Sequence, residues 1–303
     1  MTVFLHPFRL FVYLFLIFYG LNVHANAPAK DLWTCWEVSD PLSLEVIDHR
    51  LWEQFLKNHV QKSHQGIHVI DYAHMPSKDR TIIDEYLLHL GSVKISNYNR
   101  REQLAFWINL YNALVMKIVL EHYPVDTIND INISPGFFSD GPWAANLIKI
   151  ENISLSLHDI EHRIIRPIYN DPRTLYALNK AAVGSPNLEP QAFTGVNVDT
   201  LLNQCAKEYI NSLRGMQLID NRLVTSSLYK WYIDDFGGTE VDVINHLKEY
   251  AAPSLRKQLV NVTTINRTFF NWHLNSVKPH KQVVQTTREL PRQNQFANGE
   301  TRF

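Results

Sequence analysis

The stretch from Ser156 to Arg173 sets carboxylates, two imidazoles (His158 and His162) and three guanidinium groups (Arg163, Arg166 and Arg173) around a short predicted helix. His162 is the residue there best suited to carry a proton, because imidazole titrates near neutral pH and the adjacent carboxylate of Glu161 can fix its tautomer. Arg166 follows one helical turn later on the same face. The alternative is that His162 and Arg166 pair with buried carbonyls. His158, Glu161 and His162 also fit the pattern His-x-x-Glu-His, in which two imidazoles one turn apart bind zinc. That chemistry needs a third ligand and a longer helix than one stopped by Pro167, so neither a metal nor another cofactor is expected.

Downstream, Gly184-Ser185-Pro186 reads as a tight turn at the end of a strand, where a nucleophilic hydroxyl would be exposed and served by backbone N–H donors. Serine is also an ordinary turn residue. The segment is not Gly-x-Ser-x-Gly, so the α/β-hydrolase elbow is not supported.

These groups need elements to position them. Arg100 to Glu121 is the longest regular signal, with Asn99 to cap it and Pro124 beyond its end. Leu104, Trp107, Ile108, Tyr111, Leu114, Val115 and Ile118 form one apolar face, and Ala105, Phe106, Ala113, Met116 and Leu120 make the opposite face hardly more polar, which predicts a buried helix. Glu102 and Asn109 on it must then find partners, since an unpaired buried polar group costs about 1–3 kcal/mol. They either hold neighbouring loops together or line a pocket. Helices are also predicted over Leu42–Gln61, Lys78–Leu90, Asp199–Leu213, Ser226–Phe236 and Val241–Tyr250, and strands over Ile67–Tyr72, Leu147–Leu155, Thr174–Asn179 and Arg222–Thr225. Ser156 is read as a cap, with Asp159 three residues later. With no internal repeat and no clean linker, the prediction is a helix-rich single α+β domain with a small, mainly antiparallel sheet, over residues 26–277.

With 303 residues, 45% hydrophobic and 19% charged, the chain can bury a sizeable core. Its first 25 residues have one basic side chain, Arg9, an apolar run from Phe11 to Leu21, and Val23-His24-Ala25. That layout predicts a cleavable export signal, since the run is shorter than the roughly 18–20 residues of a spanning helix. Cleavage is expected after Ala25, leaving no membrane span and, in a Gram-negative source, a periplasmic protein. Its loss removes Arg9 and no acid, leaving 28 basic and 30 acidic side chains, a net charge of −2. Such a surface argues against nucleic acid as partner. After export, Cys35 and Cys205 either pair, stabilising the fold by about 4–5 kcal/mol, or stay as two separate, buried thiols. Residues 278–303 read as a flexible polar tail.

The segments Arg101 to Ala113, Ser134-Pro135-Gly136, Gly141-Pro142-Trp143, Leu157 to Pro167, Asp171-Pro172-Arg173 and Ser185-Pro186-Asn187-Leu188 resemble the bacterial family known as domain of unknown function 547. The similarity runs on through Arg214-Gly215, Ser226-Ser227, Asp235 to Gly238 and Trp272 to Asn275. The resemblance implies a remote likeness to papain-like and transglutaminase-like cysteine hydrolases, and so acyl transfer at amide bonds. The family pattern Asn-Cys-Ala-Ser-x-Gly-Cys-Pro-x-Leu has two thiols that this chain lacks: Lys180 stands at the first and Ser185 at the second. A serine hydroxyl loses its proton far less readily than a thiol. Lys180 either assists Ser185 or is a surface charge in a vacated place. Two expectations follow. One is a pseudoenzyme that binds a peptide or cell-envelope component. The other is an amide or acyl hydrolase with Ser185 attacking, His162 as base, Glu161, Glu102 or Asn109 orienting, and Arg166, Arg173, Asn179 and Lys180 holding substrate.

Overall fold

The computed structural model describes residues 27–136 and 141–277; the expected export signal and polar tail lie outside them. In chain order the elements are α1 (Arg50–His59), β1 (Gln61–Lys62), β2 (His68–Val69), α2 (Ser77–Ser92), α3 (Arg100–His122), β3 (Ile148–Ile150), β4 (Ile153–Leu155), α4 (Arg166–Tyr169), α5 (Val198–Ile210), β5 (Met216–Ile219), β6 (Arg222–Ser226), α6 (Ser227–Trp231), α7 (Glu240–Tyr250), α8 (Pro253–Gln258) and β7 (Arg267–Phe269). A π-helical segment, Asp159–Ile165, leads into α4. The chain is thus helix-rich α+β, and its apolar side chains form one continuous core among the described residues.

α3 is the axis of that core. Asn99 caps it by accepting from the N–H groups of Arg101 (3.1 Å) and Glu102 (3.2 Å). It is long and apolar enough to cross a membrane, yet nearly all of its apolar stretch is buried inside the protein. α2 and the π segment pack on it, and α1 packs on α2.

The strands are short. β3 and β4 pair antiparallel around Glu151 and Asn152, both in left-handed conformation (φ 46° and 68°), and β5 and β6 around Asp220 and Asn221 (φ 50° and 59°). Two left-handed residues give the turn whose twist matches a two-residue hairpin. β7 adds to β6 in parallel. The chain then runs antiparallel to residues 181–184: Gly184 N–H donates to Asn271 (2.8 Å), Val183 N–H to His273 (2.8 Å), and Asn275 N–H to Ala181 (3.1 Å).

Three expectations are corrected and one open alternative is decided. The helix expected from Leu42 starts only at Arg50, and Leu42 and Leu44 are 88% and 94% exposed. Upstream N–H groups are claimed elsewhere: Asp40 takes that of Leu42, Glu102 that of Ile47 and Asp48 that of Arg50, so no helical ladder forms. Thr174–Asn179 is not a strand. Asp171 accepts from Arg173 N–H (2.9 Å) and its carbonyl from Thr174 Oγ1 (2.8 Å), which winds Pro172–Tyr176 into a 3₁₀ turn. Pro167 does not end the helix but sits in the first turn of α4, where a missing N–H is tolerated. Of the two alternatives for Cys35 and Cys205, separate thiols hold, but only Cys205, on the inner face of α5, is buried, while Cys35 is exposed on an outer turn.

Candidate functional site

The π segment opens with a reciprocal cap. Ser156 Oγ donates to Asp159 Oδ2 (2.6 Å) and accepts from Asp159 N–H (3.1 Å), while Ser156 N–H donates back to Oδ2 (3.0 Å). Its last amide, Arg166 N–H, reaches five residues back to Glu161. Pro167 then has no N–H to return, and the carbonyls of His162 and Arg163 accept instead from Asp31 (3.2 Å) and Trp33 (3.0 Å) of the N-terminal segment. Such bulges recur at functional sites. Here Glu161, His162 and Arg166 are all buried.

Glu161 is the centre. Its Oε2 accepts from Lys180 Nζ (2.6 Å) and Tyr111 OH (3.0 Å), and its Oε1 accepts from Tyr232 OH. Lys180 Nζ also donates to Tyr111 OH (3.1 Å) and lies 5.5 Å from the ring centres of Tyr111 and Trp143 and 5.9 Å from that of Tyr232. The ammonium is therefore held by one carboxylate inside an aromatic surround. Lys180 is only 5% exposed, so it is not a surface charge. Burial opposes ionisation of Glu161, but the neighbouring Lys180 charge and the donated hydrogen bonds outweigh it, holding the carboxyl well below its ordinary range.

His162 belongs to an adjoining network. Its Nδ1 accepts from Arg166 Nη1 (2.7 Å), and Arg166 binds Asp235 through Nη2 (2.5 Å) and Nε (3.1 Å). A guanidinium only donates, so Nδ1 is unprotonated and the neutral ring carries its proton on Nε2. Burial, reinforced by Arg166, Lys180 and His158 and opposed by Glu161, lowers its pKa to about 3. That value is far from the one a general base needs near neutral pH.

Ser185 is fully buried (0% exposed), and its Oγ accepts the backbone N–H of Lys180 (2.9 Å). No hydrogen bond joins it to His162. The surrounding loop is fixed from several sides: Arg214 Nη1 donates to the Ser185 carbonyl (2.5 Å) and its Nη2 to Asn187 Oδ1 (2.7 Å). Asn179 Nδ2 donates to the Pro186 carbonyl (2.6 Å), and Asn112 accepts from Asn179 N–H (2.9 Å).

The nominated residues thus separate into groups. Glu161, His162, Arg166 and Lys180 come together, with Ser185 and Asn179 sealed in the adjacent loop. Arg173 lies apart, tying Asp171 (2.6 Å) to Asp199 (2.9 Å) and Asn203 (3.0 Å), both on α5. Glu102 and Asn109 do not orient His162. Glu102 accepts from the N–H groups of Ile47 (3.3 Å) and Gly195 (3.0 Å), and Asn109 exchanges two hydrogen bonds with Phe193 (2.7 and 3.0 Å). The segments they hold, Val46–Glu53 and Gln191–Asn197, wall a separate cleft of about 480 Å³. A Cβ at Gly195 would sit 2.8 Å from Glu102 Cδ. Gly195→Ala is expected to loosen this clamp and cost about 1–2 kcal/mol in urea unfolding; an unchanged midpoint would show that Glu102 does not anchor the loop.

Tyr111, Tyr232, Asp235, Trp143 and Arg214 were not nominated from sequence. Tyr111 reads as one more apolar position of α3, and nothing local marks the others as partners of Glu161 or Arg166. Among the described residues no group of three or more His, Cys, Asp or Glu side chains is arranged to hold a metal, and His162 Nδ1 is taken by Arg166.

This is a helix-rich α+β domain with a neutralised Glu–Lys–Tyr cluster beneath a proline-interrupted helix. Residues 95–210, from just before α3 to the end of α5, match the family model described as protein of unknown function, DUF547, so this stretch is similar to that family. Tyr232 and Asp235 lie outside the matched stretch. No curated protein and no solved structure matches the chain.

Proposed function

We propose that this chain is an exported bacterial protein of papain- or transglutaminase-like ancestry that binds a peptide or cell-envelope component without hydrolysing it. The observation that carries the reading is Ser185: it is sealed from solvent, and its hydroxyl oxygen is committed to the amide of Lys180. A nucleophile must reach its substrate, and its base must reach the nucleophile. Here the imidazole is held by Arg166, and the lysine ammonium is neutralised by Glu161.

Support for binding comes from the rings around the cluster. Trp143, which flanks Lys180, meets Trp272 at 6.2 Å; Trp272 stacks on Trp231 at 5.8 Å; and Phe270 touches both (4.6 and 5.0 Å). All four are only partly buried, giving a contiguous aromatic surface of the kind that takes ligands.

The test is covalent labelling. A fluorophosphonate serine probe is expected to leave Ser185 unmodified, and Ser185→Cys is expected to show no His162-dependent reaction with a thiol-directed acylating probe. Stoichiometric labelling of Ser185 that vanishes in His162→Ala would instead establish the amide or acyl hydrolase.

A further inference from the structure

Residues 27–33 lie as a strap across the His162–Arg166 face. Ala27 N–H donates to the Trp231 carbonyl (2.7 Å), and the Pro28 carbonyl accepts from Arg166 Nη1 (2.5 Å). Lys30 Nζ donates to Asn170 Oδ1 (2.7 Å) and lies 3.4 Å from Asp235. Two residues apart, the N–H groups of Asp31 and Trp33 satisfy the His162 and Arg163 carbonyls. The Arg163 guanidinium closes the far end, 3.0 Å from the Asp31 carboxylate and 4.1 Å from the Trp33 ring centre.

The strap is held on, not built in. None of residues 27–35 is buried; the first that is, Trp36, packs edge-on against Trp107 at 5.1 Å. Ala27 and Trp33 pack against the rim of the core, but both stay partly exposed, so lifting the chain ahead of Trp36 uncovers no fully buried side chain of its own. The Asp31–Arg163 pair faces solvent, where such a pair contributes at most about 1 kcal/mol, and Lys30 reaches the shielded Asp235 from a partly exposed position. The surface beneath is permanent by contrast. Pro167 frees two carbonyls, and Asp235 and His162 fix the guanidinium of Arg166. A row of backbone acceptors, a cation and an anion would remain in register once the strap left, which suits a peptide laid along it.

Resting on the binding reading above, we infer that residues 27–33 are an intramolecular stand-in for the ligand. The partner is a peptide segment that donates alternate backbone N–H groups to His162 and Arg163, places a carbonyl on Arg166 and sets a basic side chain at Asp235. The strap regulates the site by occupying it.

The experiment uses the chain from residue 26 to its end. In wild type, the strap amides should exchange hydrogen at least a hundredfold faster than those of α3. A fluorescein-labelled synthetic peptide of residues 27–33 should bind the strap-weakened variant Asp31→Lys/Trp33→Ala at least tenfold more tightly than wild type, and adding Asp235→Ala should reverse that gain. Strap amides as protected as those of α3, or equal peptide affinity for wild type and variant, would overturn the inference. Either result obtained with Ser185 unlabelled would remove the strap and leave the binding reading standing, whereas labelling of Ser185 would bring down the binding reading itself.

Discussion

Lys180→Met is expected to destabilise the protein by about 3–5 kcal/mol, the usual cost of leaving one member of a buried ion pair unpaired. Glu161 is 3% exposed and would keep only the phenols of Tyr111 and Tyr232 as donors. Glu161→Gln removes the countercharge instead and strands an ammonium between three aromatic rings, with a cost of similar order. The double variant Lys180→Met/Glu161→Gln is expected to recover at least about 2 kcal/mol of the summed losses, because neither charge is then buried and the glutamine amide still accepts from a phenol. Urea unfolding of the four proteins at pH 7 measures the coupling. Single losses below about 1 kcal/mol with no coupling would mean that this pair is hydrated and not the closed centre described above.

Stability is expected to fall steeply on mild acidification. Burial lowers the pKa of His162 from 6.5 to about 3, and those of His49 and His246 from 6.5 to about 4. Each ring stays neutral in the fold while it protonates in the unfolded chain near 6.5, so its contribution is complete above that pH and is lost as pH falls below it. Glu189 acts in the opposite sense. Burial, with help from Glu208, raises its carboxyl from 4.5 to about 7, so its contribution is complete below 4.5 and is lost as pH rises towards 7. Between pH 5 and 6 the unfolded state holds three more protons on these histidines and one fewer on Glu189. The net of two predicts a slope of roughly 3 kcal/mol per pH unit. Glu189→Gln should steepen it to about 4 kcal/mol per unit and flatten the curve up to pH 7. Glu161, with its depressed pKa, adds to the loss only as pH drops below its unfolded value of 4.5. Urea midpoints at pH 5, 6, 7 and 8 are the measurement, and a midpoint constant from pH 5 to 6.5 would contradict the burial of the three rings.

Most of the helical scaffold was legible in the sequence, because its signals act within one turn. Asn99 caps α3 and Ser156 caps the π segment as their residue types require, and the apolar wrap of α3 foretold its burial. The polar pair Glu102 and Asn109 announced a need for partners, though not which ones. Where backbone donors were claimed by distant side chains, as between Leu42 and Arg50, periodicity alone misled. Cys35 and Cys205 show the same limit, since the chain places one outside and one within α5.

The chemistry of the site was decided by tertiary structure. Glu161 is neutralised by Lys180, 19 positions away along the chain, and hydrogen-bonded by Tyr111 and Tyr232, 50 and 71 positions away. A sequence supplies the residue types around position 161 and the turns that present them, since those depend on neighbours a few bonds away. Whether Lys180 faces water or a carboxylate, and whether Ser185 is open or sealed, depends on which remote segments exclude solvent there, and only the packed chain fixes that.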